Sequence, residues 1–322
     1  MDTSNSTGTR ANGLTKLHRK PFLKKASENK VLLLMILPAT LYFFVFSYMP
    51  MPGLILAFQR FTLTDGLFNN PWVGFSNFQF FFASGDAFRV TMNTLTYNLM
   101  FIAINLILQI SAAIMLANIN GKIFKKTTQT FLFLPYFISW VVVGSFVYNI
   151  LNFEFGALNT FLRGLGLDPV NVYGNPPIWR LILVIARAWK DLGYGIIIYM
   201  AAIMSIDQEM YEAADIDGAT IFQKIRAITL PSLVPTMIIL TLLGISNLAR
   251  GDFQMFFNIV GNNGMLFAVT DVIDTYVFRS LMQVQEFGMT AAVGAYQSVL
   301  NFVIILTVNG IVRKTAPDYA LF

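Results

Sequence analysis

Arg187, Lys190 and Asp191 are three ionisable residues inside the otherwise apolar run Ile178 to Met204. A lysine or aspartate at the centre of a bilayer costs about 2.5–3.5 kcal/mol on insertion scales, so such groups face a bundle interior or a water-filled cavity. Lys190 and Asp191 lie roughly twelve residues into the run, which at about 1.5 Å per residue is near mid-bilayer. Arg187, three positions before Lys190, falls on its face of the helix, whereas adjacent positions sit roughly 100° apart. Lys190 and Asp191 therefore need different partners. Two uses stay open for this group: lining or gating a cavity, or forming a structural ion pair.

A second segment has chemistry of another kind. Met210 to Pro231 is polar and helix-prone, yet it lies between two strongly apolar runs. Its Glu, Ala, Met and Gln residues favour helix, and Gly218 costs roughly 1 kcal/mol inside one, so the segment reads as helix, turn, helix. Ala213 and Ala214 beside Glu212 leave a low face able to enter a groove of another protein, with the carboxylate free to meet a basic residue there. Asp217 precedes the turn. Leu230-Pro231 is expected to close the unit, because proline disfavours the α conformation at the residue before it and suits the first turn of a helix. An ordinary amphipathic loop helix is the plainer alternative.

Other chemistries have no carriers. The chain has no cysteine, and its single histidine, His18, sits in a basic tail, so no catalytic residue and no metal ligand set is identified. No Gly-x-x-x-x-Gly-Lys-Ser/Thr loop occurs, so nothing here can cradle ATP phosphates.

The elements that must position these residues follow from composition. The 322 residues are 56% hydrophobic and 12% charged, with 31 Phe, which is far more apolar than a soluble domain of that size. An all-α integral membrane protein is expected, with about six transmembrane helices: Val31 to Tyr48, Thr94 to Ala117, Phe131 to Leu151, Ile178 to Met204, Ser232 to Leu248 and Met289 to Val312. Leu54 to Phe58 either prolongs the first span or turns along the surface. Thr62 to Arg89 is too broken by Gly and Pro to cross, and the connections Asn152 to Pro177 and Gly251 to Gln285 carry irregular sequence, the former with a short amphipathic helix over Gly156 to Gly166. No signal peptide is read at the start. The domain reading is a basic segment over 1–30, a membrane domain over 31–315 that contains the loop 205–231, and a tail over 316–322.

Basic residues set the orientation. Lys16 to Lys30, Lys122-Lys125-Lys126, Lys224-Arg226 and Arg313-Lys314 fall on one side, against scattered arginines such as Arg60, Arg89 and Arg163 on the other. Both termini and the loop 205–231 are thereby expected to be cytoplasmic.

The spacing of Glu212, Ala213, Ala214, Gly218, Ile228, Leu230 and Pro231 resembles the EAA signature of ABC importer permeases. The chain is also similar to the carbohydrate-uptake branch of binding-protein-dependent permeases, through Leu37-Pro38, Pro71-Trp72-Val73-Gly74, Leu134-Pro135-Tyr136, Trp189-Lys190, Ile198-Tyr199-Met200, Asp274-Thr275-Tyr276 and Gln297-Ser298. Asp191 stands where that pattern has Glu. The resemblance implies a type I importer permease with a coupling helix that contacts an ATPase through Glu212, Ala213, Ala214, Asp217, Gly218, Leu230 and Pro231. It implies no cofactor in this chain, ATP and Mg being bound by the partner ATPase. The implied partners are a second related permease, two cytoplasmic ABC ATPases, an extracellular substrate-binding lipoprotein, a carbohydrate and the lipid bilayer of the bacterial cytoplasmic membrane, with no nucleic acid. A secondary, ion-coupled sugar transporter is the alternative, although such proteins show repeated halves with coupling groups in both.

Sugars are held by aromatic faces and hydroxyl-matching polar groups. The candidate pathway residues are accordingly Tyr136, Trp140, Arg187, Trp189, Lys190, Asp191, Tyr194, Asn247 and Gln254, with packing as the plainer role for any single aromatic. Gln297, Asn301 and Asn309 recur near helical spacing and suit hydrogen bonds to a neighbouring subunit's helix. Arg250, Asp252, Asp271, Asp274 and Glu286 read either as a docking site for the binding protein or as a solvated loop.

Overall fold

The computed structural model describes residues 29–62, 66 and 70–320; the expectations for most of the basic tail, His18 included, lie outside these residues. Contacts divide the chain after Gly53. In the first unit, helix α1 (Lys30–Phe43) continues into a π-helical turn, Phe44–Tyr48. A 3-10 helix, Met51–Phe58, follows.

The second unit holds α2 (Ser76–Ala83), α3 (Asp86–Ala117), α4 (Lys122–Phe133), α5 (Trp140–Leu151), α6 (Ala157–Gly164), α7 (Pro176–Met204), α8 (Gln208–Ile216), α9 (Ile221–Lys224), α10 (Leu230–Ile245), α11 (Phe253–Val260), α12 (Phe267–Thr270), α13 (Ile273–Arg279) and α14 (Phe287–Thr315). Extended pairing among the described residues is limited to an isolated bridge between Gln59 and Trp72. The connection Gly251 to Gln285, irregular in sequence, is thus largely helical: α11, α12 and α13 are short, and each starts anew after a local break.

Among the described residues four helices are long and apolar enough to cross a membrane, or five if a bent pair counts as one. The bent pair corrects the expected straight span Phe131 to Leu151: the helix through Phe137 and the helix from Trp140 meet at 95°. A 3-10 turn over Leu134–Phe137 ends the first, and extended backbone at Ile138 and Ser139 starts the second. The Ser139 hydroxyl then accepts from the Val142 N–H as an N-cap. Helix α7 has 29 residues, about 43 Å at 1.5 Å per residue, which is ample for a crossing. Its composition alone disguises it, because Arg187, Lys190 and Asp191 break the apolar run.

Pro231 also acts otherwise than expected. Leu230 is α-helical, and the helix runs without interruption from Ile221 to Ile245. A proline inside a helix removes one hydrogen bond and collides with the preceding turn. Here the strain is absorbed by a π-helical turn, Ile225–Thr229, in which the Leu230 N–H donates to the Ile225 carbonyl five residues back. The same device precedes Pro50, where the Met49 N–H donates to Phe44 O at 2.9 Å.

Lipid tails are as apolar as leucine, so association of these helices rests on close packing and polar contacts rather than on water exclusion. α3 and α7 form the central pair, with Ile110, Ala113 and Leu116 packed on Ile196, Tyr199 and Met200. Gly193 lets the end of α4 approach α7: a Cβ there would lie 2.4 Å from the Leu132 carbonyl oxygen. Tyr97, Trp140, Trp179, Met255 and Phe256 fill a second core, and Phe81, Ile273, Tyr276 and Val293 a third.

Candidate functional site: an intramembrane polar cleft and a surface elbow

Lys190 is buried, and its ammonium group donates to three backbone carbonyls: Pro135 at 3.4 Å, Tyr136 at 2.8 Å and Ile138 at 2.5 Å. These carbonyls belong to the break between α4 and α5, where a helix end leaves acceptors without intrahelical donors. An ammonium has three donors and its positive charge suits the negative end of a helix, so one side chain bridges the break, where the Ile138 N–H also donates to Pro135 O at 3.1 Å. The Tyr136 and Trp140 rings flank it, with centroids 5.7 and 5.3 Å away. Among the described residues, Lys190 is not part of the lining of the cleft described below and is not in an ion pair. Its contacts are with carbonyls in place of a carboxylate, at the break between α4 and α5.

Asp191 points elsewhere, as adjacent helix positions require. Its Oδ2 lies 2.5 Å from Arg187 Nε, one turn back. The Arg187 guanidinium also pairs with Asp252, and it sits 5.6 Å from the Phe101 ring centroid. Asp252 accepts in addition from Trp140 Nε1 at 3.1 Å and caps α11 by accepting from the Met255 N–H at 3.0 Å. One carboxylate therefore joins α5, α7 and α11. Asp252 is thus not a free solvated carboxylate, and the same holds for two of its neighbours. Asp271 is buried and paired with Arg279 at 2.6 Å and Arg89 at 3.4 Å. Asp274 Oδ2 accepts from the Gly251 N–H at 2.5 Å and from Gln297 Nε2 at 2.8 Å.

A cleft of about 620 Å³ opens beside this network, walled by α3, α7, α10 and residues 250–252. Of the residues proposed from sequence, Tyr136, Arg187, Asp191, Tyr194 and Asn247 line it. Tyr136 stacks on Tyr194 with centroids 5.1 Å apart and on Phe133 at 5.6 Å, a flat aromatic wall. Trp140 is buried and reaches Asp252 through its indole N–H and Lys190 through its ring face, Trp189 is 43% exposed, and Gln254 lies on the exposed side of α11. These three, with Lys190, are not among the lining residues.

Sequence reasoning missed Asn98, Asn105, Gln109 and Thr241, which also line the cleft. A signal existed: Asn98, Asn105 and Gln109 recur at intervals of seven and four, which puts one polar stripe on an apolar helix. Asn98 Nδ2 donates to the Leu248 and Arg250 carbonyls, each at 2.8 Å, and Gln109 Nε2 donates to the Asp191 carbonyl at 3.1 Å. Gln297 and Asn301 act within the chain, Gln297 on Ala249 O at 3.0 Å and Asn301 on Ser246 O at 2.7 Å, so their glue joins α14 to the end of α10.

The second candidate region is a surface elbow. Asp207 caps α8 by accepting from the Glu209 N–H. The helix ends at Gly218, whose φ of +72° is the left-handed conformation that glycine adopts cheaply. The Ala219 N–H donates to Ala214 O at 2.9 Å and the Gly218 N–H to Asp215 O at 3.1 Å, which together form a Schellman motif. Thr220 and Gln223 form a capping box that starts α9, and Lys224 pairs with Asp215 at 2.7 Å across the turn. Glu212, Ala213 and Asp217 are exposed, Ala214 less so. Ile216 and Phe222, 87% and 80% exposed, flank the glycine on the outer surface. Leu230 and Pro231 lie not in the elbow but in the helix that carries it.

A family model described as the binding-protein-dependent transport system inner membrane component matches residues 109–317, a range that holds the elbow and most of the cleft. Protein LplB of Bacillus subtilis (strain 168) is 32% identical over 291 residues, 89% of this chain and 90% of its own length. The polygalacturonan/rhamnogalacturonan transport system permease protein YteP of the same organism is 31% identical over 300 residues, 93% of each. A chain of the bacterial alginate ABC transporter, solved in complex with an alginate pentasaccharide-bound periplasmic protein, superposes with a TM-score of 0.82 at 32% identity, over 92% of this chain and 98% of that one. With an intramembrane polar cleft, a glycine elbow between two capped helices and this match, the chain belongs to the family of binding-protein-dependent transport system inner membrane components, the permeases of ABC importers.

Proposed function

We propose that this permease forms one half of the pathway of an ATP-driven importer of oligosaccharides or polysaccharide fragments. The observation that carries this reading is the cleft, whose lining combines the stacked Tyr136–Tyr194 pair with Asn105 and Asn247 inside an apolar bundle. An aromatic plane suits the apolar face of a pyranose, and amides suit its hydroxyls. The names of the relatives, a polygalacturonan/rhamnogalacturonan permease and an alginate transporter, support the same substrate class.

The elbow supplies the second part of the reading. Glu212, Ala213, Ala214, Asp217 and Gly218, with the exposed Ile216 and Phe222, present a small apolar and acidic knob that fits a groove on a cytoplasmic ATPase. Continuity from Ile221 to Ile245 makes it a rigid lever, so displacement at the elbow reaches α10, which walls the cleft. The complete importer contains a second related permease, two ATPases that bind ATP and Mg, and an extracellular substrate-binding lipoprotein. Both termini and the elbow are cytoplasmic, in accord with the placement of Lys and Arg.

Co-expression with the ATPase tests the reading. The chain is expected to co-purify with it, and ATP turnover in proteoliposomes is expected to rise when oligosaccharide-loaded binding protein is added. Sugar uptake by the chain alone, driven by an ion gradient, would instead establish a secondary transporter.

A further inference from the structure

We infer that Arg250 makes the cleft selective for glycans that carry carboxylates, that is, uronate-containing oligosaccharides; this rests on the carbohydrate reading above. Four charged residues line the cleft: Arg187, Asp191, Arg250 and Asp252. Arg187 lies between the two aspartates and is committed to both. Arg250 is exposed and makes no ion pair among the described residues. Asp274 is near enough to feel its charge, but the carboxylate oxygen Oδ2 is already held by Gly251 N–H and Gln297. With Lys190 behind the wall and Asp274 beside the adjoining recess, the formal charges of the region cancel, and Arg250 is the exposed cation among them, which a solute can reach.

The guanidinium stands on a fixed base. The Arg250 N–H donates to Asn247 O at 2.9 Å, and the Arg250 carbonyl accepts from Asn98. Arg250 also lines a second polar recess of about 430 Å³, with Gln297, Ser298 and Asn301, so it stands on the ridge between two water-accessible hollows. A planar guanidinium binds a carboxylate through two parallel hydrogen bonds, a match that a neutral hydroxymethyl group cannot reproduce. Asp191 and Asp252 would repel a uronate if free, but Arg187 pairs with both and Lys190 behind the wall supplies the second positive charge that balances them. A uronate against Arg250, with its neighbouring ring on the Tyr136–Tyr194 wall, uses the lining without leaving a charge unpaired.

The test uses the assembled importer with its binding protein in proteoliposomes, an oligogalacturonide and its methyl ester as substrates, and the ratio of kcat/KM for acid over ester as the readout. Because one binding protein serves every permease variant, its own preference cancels on comparing variants. Arg250→Gln is expected to lower the ratio at least about tenfold, since hydrogen bonds between charged partners exceed that factor, and Arg250→Lys to restore part of it. Measurable turnover of the ester by Arg250→Gln shows that the variant is assembled. An unchanged ratio overturns the role of Arg250 and leaves the carbohydrate reading intact, whereas equal loss on both substrates makes Arg250 structural and overturns it as well. Absence of turnover with any glycan, acidic or neutral, in the wild-type importer overturns the carbohydrate reading and this inference together.

Discussion

The polar network around Lys190 and the elbow at Gly218 both consist of charges, caps and a break between helices, yet they are built at opposite ranges. Lys190 reaches carbonyls 52 to 55 residues away, Arg187 an aspartate 65 away, and Trp140 that same aspartate 112 away. The elbow is tied mainly by bonds that span three to nine residues, from the Thr220–Gln223 box to the Lys224–Asp215 pair. A buried network of that range fixes how helices sit against one another. A locally closed elbow keeps its shape whatever it touches, and that is what a contact piece on a moving lever requires.

Substitutions that separate shape from transport sharpen the contrast. Gly218→Pro is expected to have the largest effect, complete loss of ATP-coupled uptake, because proline cannot adopt φ of +72° and the Schellman turn must open. Insertion and thermal stability of the bundle should remain close to wild type, since no Cβ contact crowds Gly218; a melting curve beside an uptake assay checks both. If bundle stability falls with uptake, the elbow is not independent.

Lys190→Met should do the reverse. It removes the ammonium donor from the Tyr136 and Ile138 carbonyls, while Pro135 O keeps the Ile138 N–H, so a loss of about 3 kcal/mol is expected in the thermal or denaturant stability of the whole chain, together with reduced yield. Lys190→Arg should recover part of it. Normal stability with lost transport would return Lys190 to the pathway.

Glu212→Lys is expected to act more mildly, weakening ATPase association a few-fold at low salt and less at high salt, as an exposed charge contact does. Salt-independent binding equal to wild type would remove Glu212 from the interface. Trp189→Phe should change uptake by less than about twofold, in keeping with a side chain outside the lining of the cleft. A large loss of transport there would mean that the pathway extends beyond the cleft.

How much of this was legible follows the same division. Sequence alone determined that the chain is an all-α membrane protein, where its apolar helices run, and the helix, turn, helix form of the elbow. Such features depend on residues within a few positions of one another: apolar periodicity, a glycine that accepts positive φ, a Thr-x-x-Gln cap. Sequence also established that Lys190 and Asp191 need different partners, because adjacent helix positions diverge by roughly 100°. Only the tertiary structure decided who those partners are. Nothing local distinguishes Asp252 in a polar connection from a solvated aspartate, and nothing in Leu134-Pro135-Tyr136 announces that its carbonyls await an ammonium from α7. The 95° bend, hidden in a run apolar enough to read as one straight span, and the helix that passes through Pro231 have the same origin. In each case distant groups supply or relieve the hydrogen bonds that a local reading counts as lost, since in lipid no water can satisfy them instead.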